Sequence, residues 1–162
     1  MTYSQFGHMI PEMIILGIFI LVFLFDTFSG EKCKKVLTPF TAILFGLGTI
    51  AIWVTPASGE SVFGGMYIND TATNAIKAIL NIGVFIVLLQ SAKWLESDEV
   101  AVRKGEFYEL LLVTVFGMYL MVSARHFLIF IIGLESASLP LAALVAFNKR
   151  HYESNEAAIK YI

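Results

Sequence analysis

Cysteine occurs once in this chain, at Cys33. One thiol closes no intrachain disulfide, and a four-cysteine iron–sulfur or zinc site cannot be assembled from it. Charge is scarce too: Asp, Glu, Lys and Arg make up 15% of the residues, and the basic ones sit in separate loops, which excludes the basic patch of a nucleic-acid binder. The first twelve residues hold no Lys or Arg, so the first apolar run lacks the basic n-region of a cleavable signal peptide and is expected to be a retained anchor with its N-terminus outside. The three histidines, His8, His126 and His151, stand apart without a second ligand at helical spacing, and no metal site is read from them. Two short patterns carry little weight. GLGTIA, Gly46 to Ala51, has the outline of a dinucleotide fingerprint but lies in an apolar run with no strand before it. NDT, Asn69 to Thr71, is a formal glycosylation sequon expected to carry no glycan.

What the chain has in excess is apolar length. Hydrophobic residues make up 57% of it and its mean hydropathy is +0.77, values outside the range of ordinary soluble domains. Long apolar runs recur from Ile10 to Phe28, Val36 to Val54, Asn74 to Leu95, Phe107 to Ala124 and His126 to Phe147. Each is about the ~20 residues that a bilayer core requires. A sixth helix is expected from about Glu156, with Asn155 as its N-cap; Ile162 comes about seven residues on, roughly 10 Å into a core of ~30 Å, so a fragment of a longer chain is expected. The expected fold class is all-α: a polytopic membrane protein forming one helical domain over residues 1–162, with five spans and the start of a sixth.

Basic residues set the expected orientation. Lys32, Lys34, Lys35, Arg103, Lys104, Lys149 and Arg150 fall on one side of such a bundle, and Arg125 alone on the other. The positive-inside rule then puts the N-terminus and the loop Thr55 to Thr73 outside, and Cys33 in a cytoplasmic loop.

Polar residues inside the spans are the remaining source of functional information, because a charge at helix centre costs ~2.5–3.5 kcal/mol on insertion scales. Glu135 is the sharpest case, roughly 14 Å from one end of its run and 18 Å from the other. Ser138, Ala142 and Ala146 fall on the same side of the helix, a small-residue face expected to meet protein. Glu135 is therefore either a protonated group hydrogen-bonded between helices or a titrating member of a proton relay; the second is the default for an intramembrane acid. Pro140, five residues on, is expected to bend the helix and free a carbonyl near the carboxylate. Lys160 follows Glu156 by four residues, which suits either an interfacial salt bridge or a relay role. Lys77 shares a polar stripe with Asn74 and Asn81 in the outer half of its helix and is expected to snorkel to water. Glu12, Asp26, Glu106 and Glu109 are expected at membrane interfaces, the last two favoured by the positive end of a helix dipole.

Four stretches together resemble the antiporter-like membrane subunits of proton-pumping NADH-quinone oxidoreductase (respiratory complex I), and among them subunit N. They are MIPEMIILGIFILVFLFDTF in the first helix, GEFYELLLVTVFGMYLMVSA in the fourth, GLESASLPLAALVAF in the fifth and SNEAAIKYI opening the sixth. Leu134 stands where the sister subunits M and L usually have Trp, while Arg125, His126 and Ala142 depart from the family's usual residues. The resemblance implies that Glu135 is the helix-five glutamate paired with a buried lysine on helix seven, and that Lys160 is the lysine near the cytoplasmic start of helix six. It implies proton translocation driven from a distance by quinone reduction, in a subunit of about fourteen helices with inverted repeats, of which this stretch is the N-terminal portion. It implies no cofactor bound by this chain, with NAD, flavin, iron–sulfur clusters and quinone in partner subunits, and a setting in a bacterial inner membrane among other complex I membrane subunits, lipid and protons. The isolated chain is expected to be inactive. A subunit of a multisubunit sodium/proton antiporter and a truncated, non-transporting membrane scaffold are the alternatives.

Overall fold

The computed structural model describes residues 3–28, 34–97, 100–148 and 152–161. Lys32, Cys33, Lys149, Arg150 and His151 lie outside the described residues, as do the side chains of Lys34 and Lys35. A 3-10 turn, Tyr3–His8, leads into α1 (Ile10–Phe28), and α2 (Lys34–Val54) returns across the bundle. A two-stranded antiparallel ribbon follows, β1 (Ser61–Val62) with β2 (Tyr67–Ile68). Then come α3 (Thr71–Trp94), α4 (Lys104–Ser123), α5 (Phe127–Val145) and α6 (Tyr152–Tyr161). The first five α-helices are each long and apolar enough to cross a membrane, and the chain is a multi-pass membrane protein of all-α class.

Three helix starts differ from expectation. α3 begins at Thr71 instead of Asn74 because Asp70 caps it: Asp70 Oδ1 accepts from Thr73 N at 2.8 Å and Thr73 Oγ1 accepts from Asp70 N at 2.9 Å, a reciprocal capping box. α4 is helical from Lys104, so Glu106 lies in its first turn, held by Arg103 Nε at 2.7 Å. Asn155 is an interior residue of α6 and not its cap, since nothing between Tyr152 and Asn155 breaks the helix and Glu153 suits the first turn. Ser154 Oγ donates to the Val145 carbonyl at 2.7 Å and ties this start to the end of α5.

α4 is the central helix, packed by α1, α2, α3 and α5. Its buried residues, from Phe107 and Tyr108 to Tyr119 and Leu120, run round the whole cylinder, as a fully enclosed helix requires. α5 approaches it through glycine. A Cβ at Gly117 would collide with backbone atoms of Gly133, Ser136 and Ala137, so the two helices meet backbone to backbone. Gly48 of GLGTIA makes room for a side chain instead, since a Cβ there would strike the end of Ile18 on α1, whereas one at Gly46 would make only ordinary contact with Phe85.

One end of the bundle is closed by Trp94, Phe107 and Phe147, whose rings lie 5.5 to 5.9 Å apart, with the Arg103 guanidinium 4.8 Å from the Phe147 ring. The other end carries the ribbon, whose turn needs positive φ at Phe63, Gly64 and Gly65. Arg125 N donates to the Met66 carbonyl at 2.8 Å, so the ribbon is fastened to the α4–α5 link. That link places Tyr67 over the bundle interior.

Candidate functional site

Glu12 enters the bundle in the first turn of α1, next to Pro11, and is 1% exposed. Lys77, nearly two turns into α3, is fully buried. Lys77 Nζ donates to Glu12 Oε1 at 2.7 Å, to Asn69 Oδ1 at 3.2 Å and to Tyr67 Oη at 3.4 Å. An ammonium has three donors, and all three are used. Tyr67 Oη donates in turn to Glu12 Oε2 at 2.6 Å. Burial, reinforced by the adjacent Glu12 carboxylate, pushes the Tyr67 hydroxyl above its ordinary range and keeps it a donor. The Tyr67 and Tyr119 rings lie 5.6 and 5.4 Å from the ammonium, within cation–π range. Tyr119 Oη donates to Asn81 Oδ1 at 2.5 Å, one turn further along α3.

This cluster corrects two expectations. Lys77 does not snorkel, because a carboxylate and two further acceptors inside the bundle replace its hydration shell more completely than a stretched side chain at the interface would. Glu12 is not an interfacial residue, since its carboxylate faces α3 and the ribbon. The signal was the Asn74, Lys77 and Asn81 stripe on one helix and an acid one turn into another at the same level. Asn69 of the NDT pattern is 2% exposed and committed to Lys77, so its amide does not reach solvent.

Glu135 is differently placed. Its side chain is exposed, and no hydrogen bond or ion pair reaches it among the described residues. The face of α5 packed on α4 is that of Gly133 and Ala137, roughly 160° around the helix from Glu135 at ~100° per residue. Of the small residues on its own side, Ala142 is buried while Ser138 and Ala146 are half-buried. Lys160 is 74% exposed in its side chain and pairs with Glu156 at 2.6 Å, one turn back on α6. The structure does not bring Glu135 and Lys160 together as a bonded pair. Glu106 and Asp26 remain near the helix ends, the Asp26 carboxylate lying directly against Gly105. His8 approaches Glu60 at 3.7 Å and His126 accepts from Leu128 N at 3.2 Å. No group of three His, Cys, Asp or Glu side chains that could hold a metal occurs among the described residues.

No family model matches the chain. It is 42% identical over 163 residues to the NADH-quinone oxidoreductase subunit N of Phocaeicola vulgatus and 40% identical over 164 residues to that of Azobacteroides pseudotrichonymphae. Each alignment takes in 100% of this chain and 34% of the relative. Among solved structures, a chain of respiratory complex I from Thermus thermophilus with bound aureothin aligns with a TM-score of 0.68 at 26% identity, over 93% of this chain and 32% of that one. This chain thus spans about a third of the length of the relatives it matches. The resemblance read from the residues is borne out: along its whole length the chain is similar to NADH-quinone oxidoreductase subunit N.

Proposed function

We propose that the chain is part of a membrane subunit of a respiratory NADH-quinone oxidoreductase and contributes, without redox chemistry of its own, to proton translocation coupled to quinone reduction. The observation that supports this reading best is Glu135, a carboxylate midway along a spanning helix, turned away from the glycine face that holds the helix to its neighbour. Such a group is too costly to leave against lipid and calls for a cationic partner. In this reading the partner is a buried lysine on a helix outside residues 3–161, and loss or gain of the pairing shifts that lysine's proton affinity. Lys160, in an exposed pair that solvent can exchange, serves the cytoplasmic side. NAD, flavin, iron–sulfur clusters and quinone belong to partner subunits, and the setting is a bacterial inner membrane.

The test is Glu135→Gln in the assembled complex, which keeps the side chain's size and removes its charge. Quinone reduction and assembly should persist while proton pumping falls strongly. Normal pumping by Glu135→Gln, with damage only from bulkier replacements, would reduce Glu135 to a packing residue.

A further inference from the structure

We propose that the Glu12–Lys77 pair is a second proton-exchange site of this chain, reached by water from the ribbon end of the bundle along Asn74. The inference stands on the geometry of this cluster and does not depend on Glu135.

Three observations meet here. A carboxylate and an ammonium are in direct contact with neither exposed by more than 1%. On α3 the pair is flanked, one turn to each side, by buried amide atoms with no hydrogen-bond partner among the described residues, Asn74 Oδ1 and Asn81 Nδ2. Asn81 is fully buried. Buried polar atoms without protein partners are the positions at which proteins hold internal water, and each water needs two to four polar neighbours of this kind. Finally, a groove of about 650 Å³ opens between α2 and α3 at the ribbon end. Its wall includes Thr55, Thr71, Asn74 and Ala75, together with Ala78, the residue next to Lys77. Asn74 is thus the step between an open groove and the buried ammonium.

The other groups facing the pair are Tyr67 from the ribbon, Tyr119 from α4, and Asp70 at the start of α3, which is paired with Arg125 at 3.5 Å. α2 carries no charged residue between Val36 and Val54. Transfer within the pair breaks one Nζ–H bond of Lys77 and forms an O–H bond at Glu12 Oε1, leaving a neutral amine and a neutral acid with the cluster's net charge unchanged. A water that donates a proton to the amine becomes hydroxide, which takes up the acid proton, so the ion pair and the water are both restored with one proton exchanged. At 2.7 Å no rearrangement is needed for the first step. Asn69 and Tyr67 hold the Nζ in place meanwhile.

The experiment uses the chain in phospholipid nanodiscs, labelled with ¹⁵N at lysine Nζ, and follows exchange of the Lys77 Nζ protons after a jump into D₂O. The resonance is assigned by its loss in Lys77→Arg. Exchange should be faster than that of the backbone amide of Ala78, which opens only when α3 does. Asn74→Leu should slow it by about tenfold or more. If Asn74→Leu does not fold, Ala75→Leu, on the groove wall and off the cluster, should slow it in the same sense. Glu135→Gln should leave it unchanged, so this result and the pumping result are read separately. Exchange no faster than the Ala78 amide would show a sealed structural pair and overturn the proposal. So would exchange indifferent to both groove substitutions.

Discussion

Lys77 Nζ lies 2.7 Å from Glu12 Oε1, in a contact that joins α3 to α1 with neither partner open to solvent. Removing one member of such a pair leaves an uncompensated buried charge, at a cost of about 3–5 kcal/mol, whereas replacing both by apolar groups can be close to neutral. Lys77→Met should therefore lower the unfolding temperature in micelles sharply. The double variant Glu12→Leu/Lys77→Met should recover most of the loss. A double-mutant cycle with additive effects would show that the two charges are not energetically coupled.

The α4–α5 contact should be intolerant at one position. A Cβ at Gly117 meets backbone, which cannot rotate aside as a side chain can. Gly117→Val should force the helices apart and cost about 1–3 kcal/mol, the usual range for overpacking. The same change at Gly83, where a Cβ meets nothing within 4 Å, should be neutral or slightly stabilising, because Val is the better helix former. Thermal unfolding of the two variants side by side decides the point.

The five spans were legible because length and apolarity determine them, and both are local properties of the sequence. The Glu12–Lys77 pair was not. Its partners are separated by 65 residues, and the side of each helix that faces another depends on the rotation of α1 and α3 about their axes, which composition leaves open. A lysine in the outer half of a span fits snorkelling equally well until a facing acid is placed. Glu135 stands out in the sequence for the opposite reason: its depth within one helix can be counted residue by residue, although the face of α5 that packs on α4 cannot.

The capping box at Asp70 makes a pH-dependent prediction. Its carboxyl is held below its ordinary value, first by the Thr73 backbone N–H and with a smaller contribution from Arg125. A depressed carboxyl stabilises the fold above its ordinary pKa, and that stability is lost as pH falls through the lower folded value. Asp70→Ala should cost about 1 kcal/mol at neutral pH, typical of a lost N-cap. The unfolding temperatures of the variant and the parent should converge in strong acid. A constant gap down to the lowest pH would assign the loss to something other than the charged cap.

Orientation follows from the basic residues. Arg103 precedes α4, Lys104 opens it and Arg125 follows it. With Lys32, Lys34, Lys35, Lys149 and Arg150, this gives seven basic residues against one. A reporter fused after Arg150 should be cytoplasmic and one inserted at Gly64, in the ribbon turn, external. The groove lined by Asn74 and Ala78 then opens to the outer side, and the opposite reporter pattern would turn it to the cytoplasm.

The two intramembrane glutamates should respond oppositely to neutralisation. Glu12 has an ammonium and a phenol on its two oxygens, so Glu12→Gln removes a matched charge and should destabilise the chain. Glu135 has no partner among the described residues and lies on the exposed side of α5, where a carboxylate costs up to ~2.5–3.5 kcal/mol on insertion scales. Glu135→Gln or Glu135→Leu should therefore leave the isolated chain as stable as the parent or more so, measured by thermal unfolding in nanodiscs. In the assembled complex, where a lysine partner is proposed, the same Glu135→Leu change should strand the partner's charge and become destabilising. A destabilised isolated chain would mean that Glu135 already has its partner within these residues.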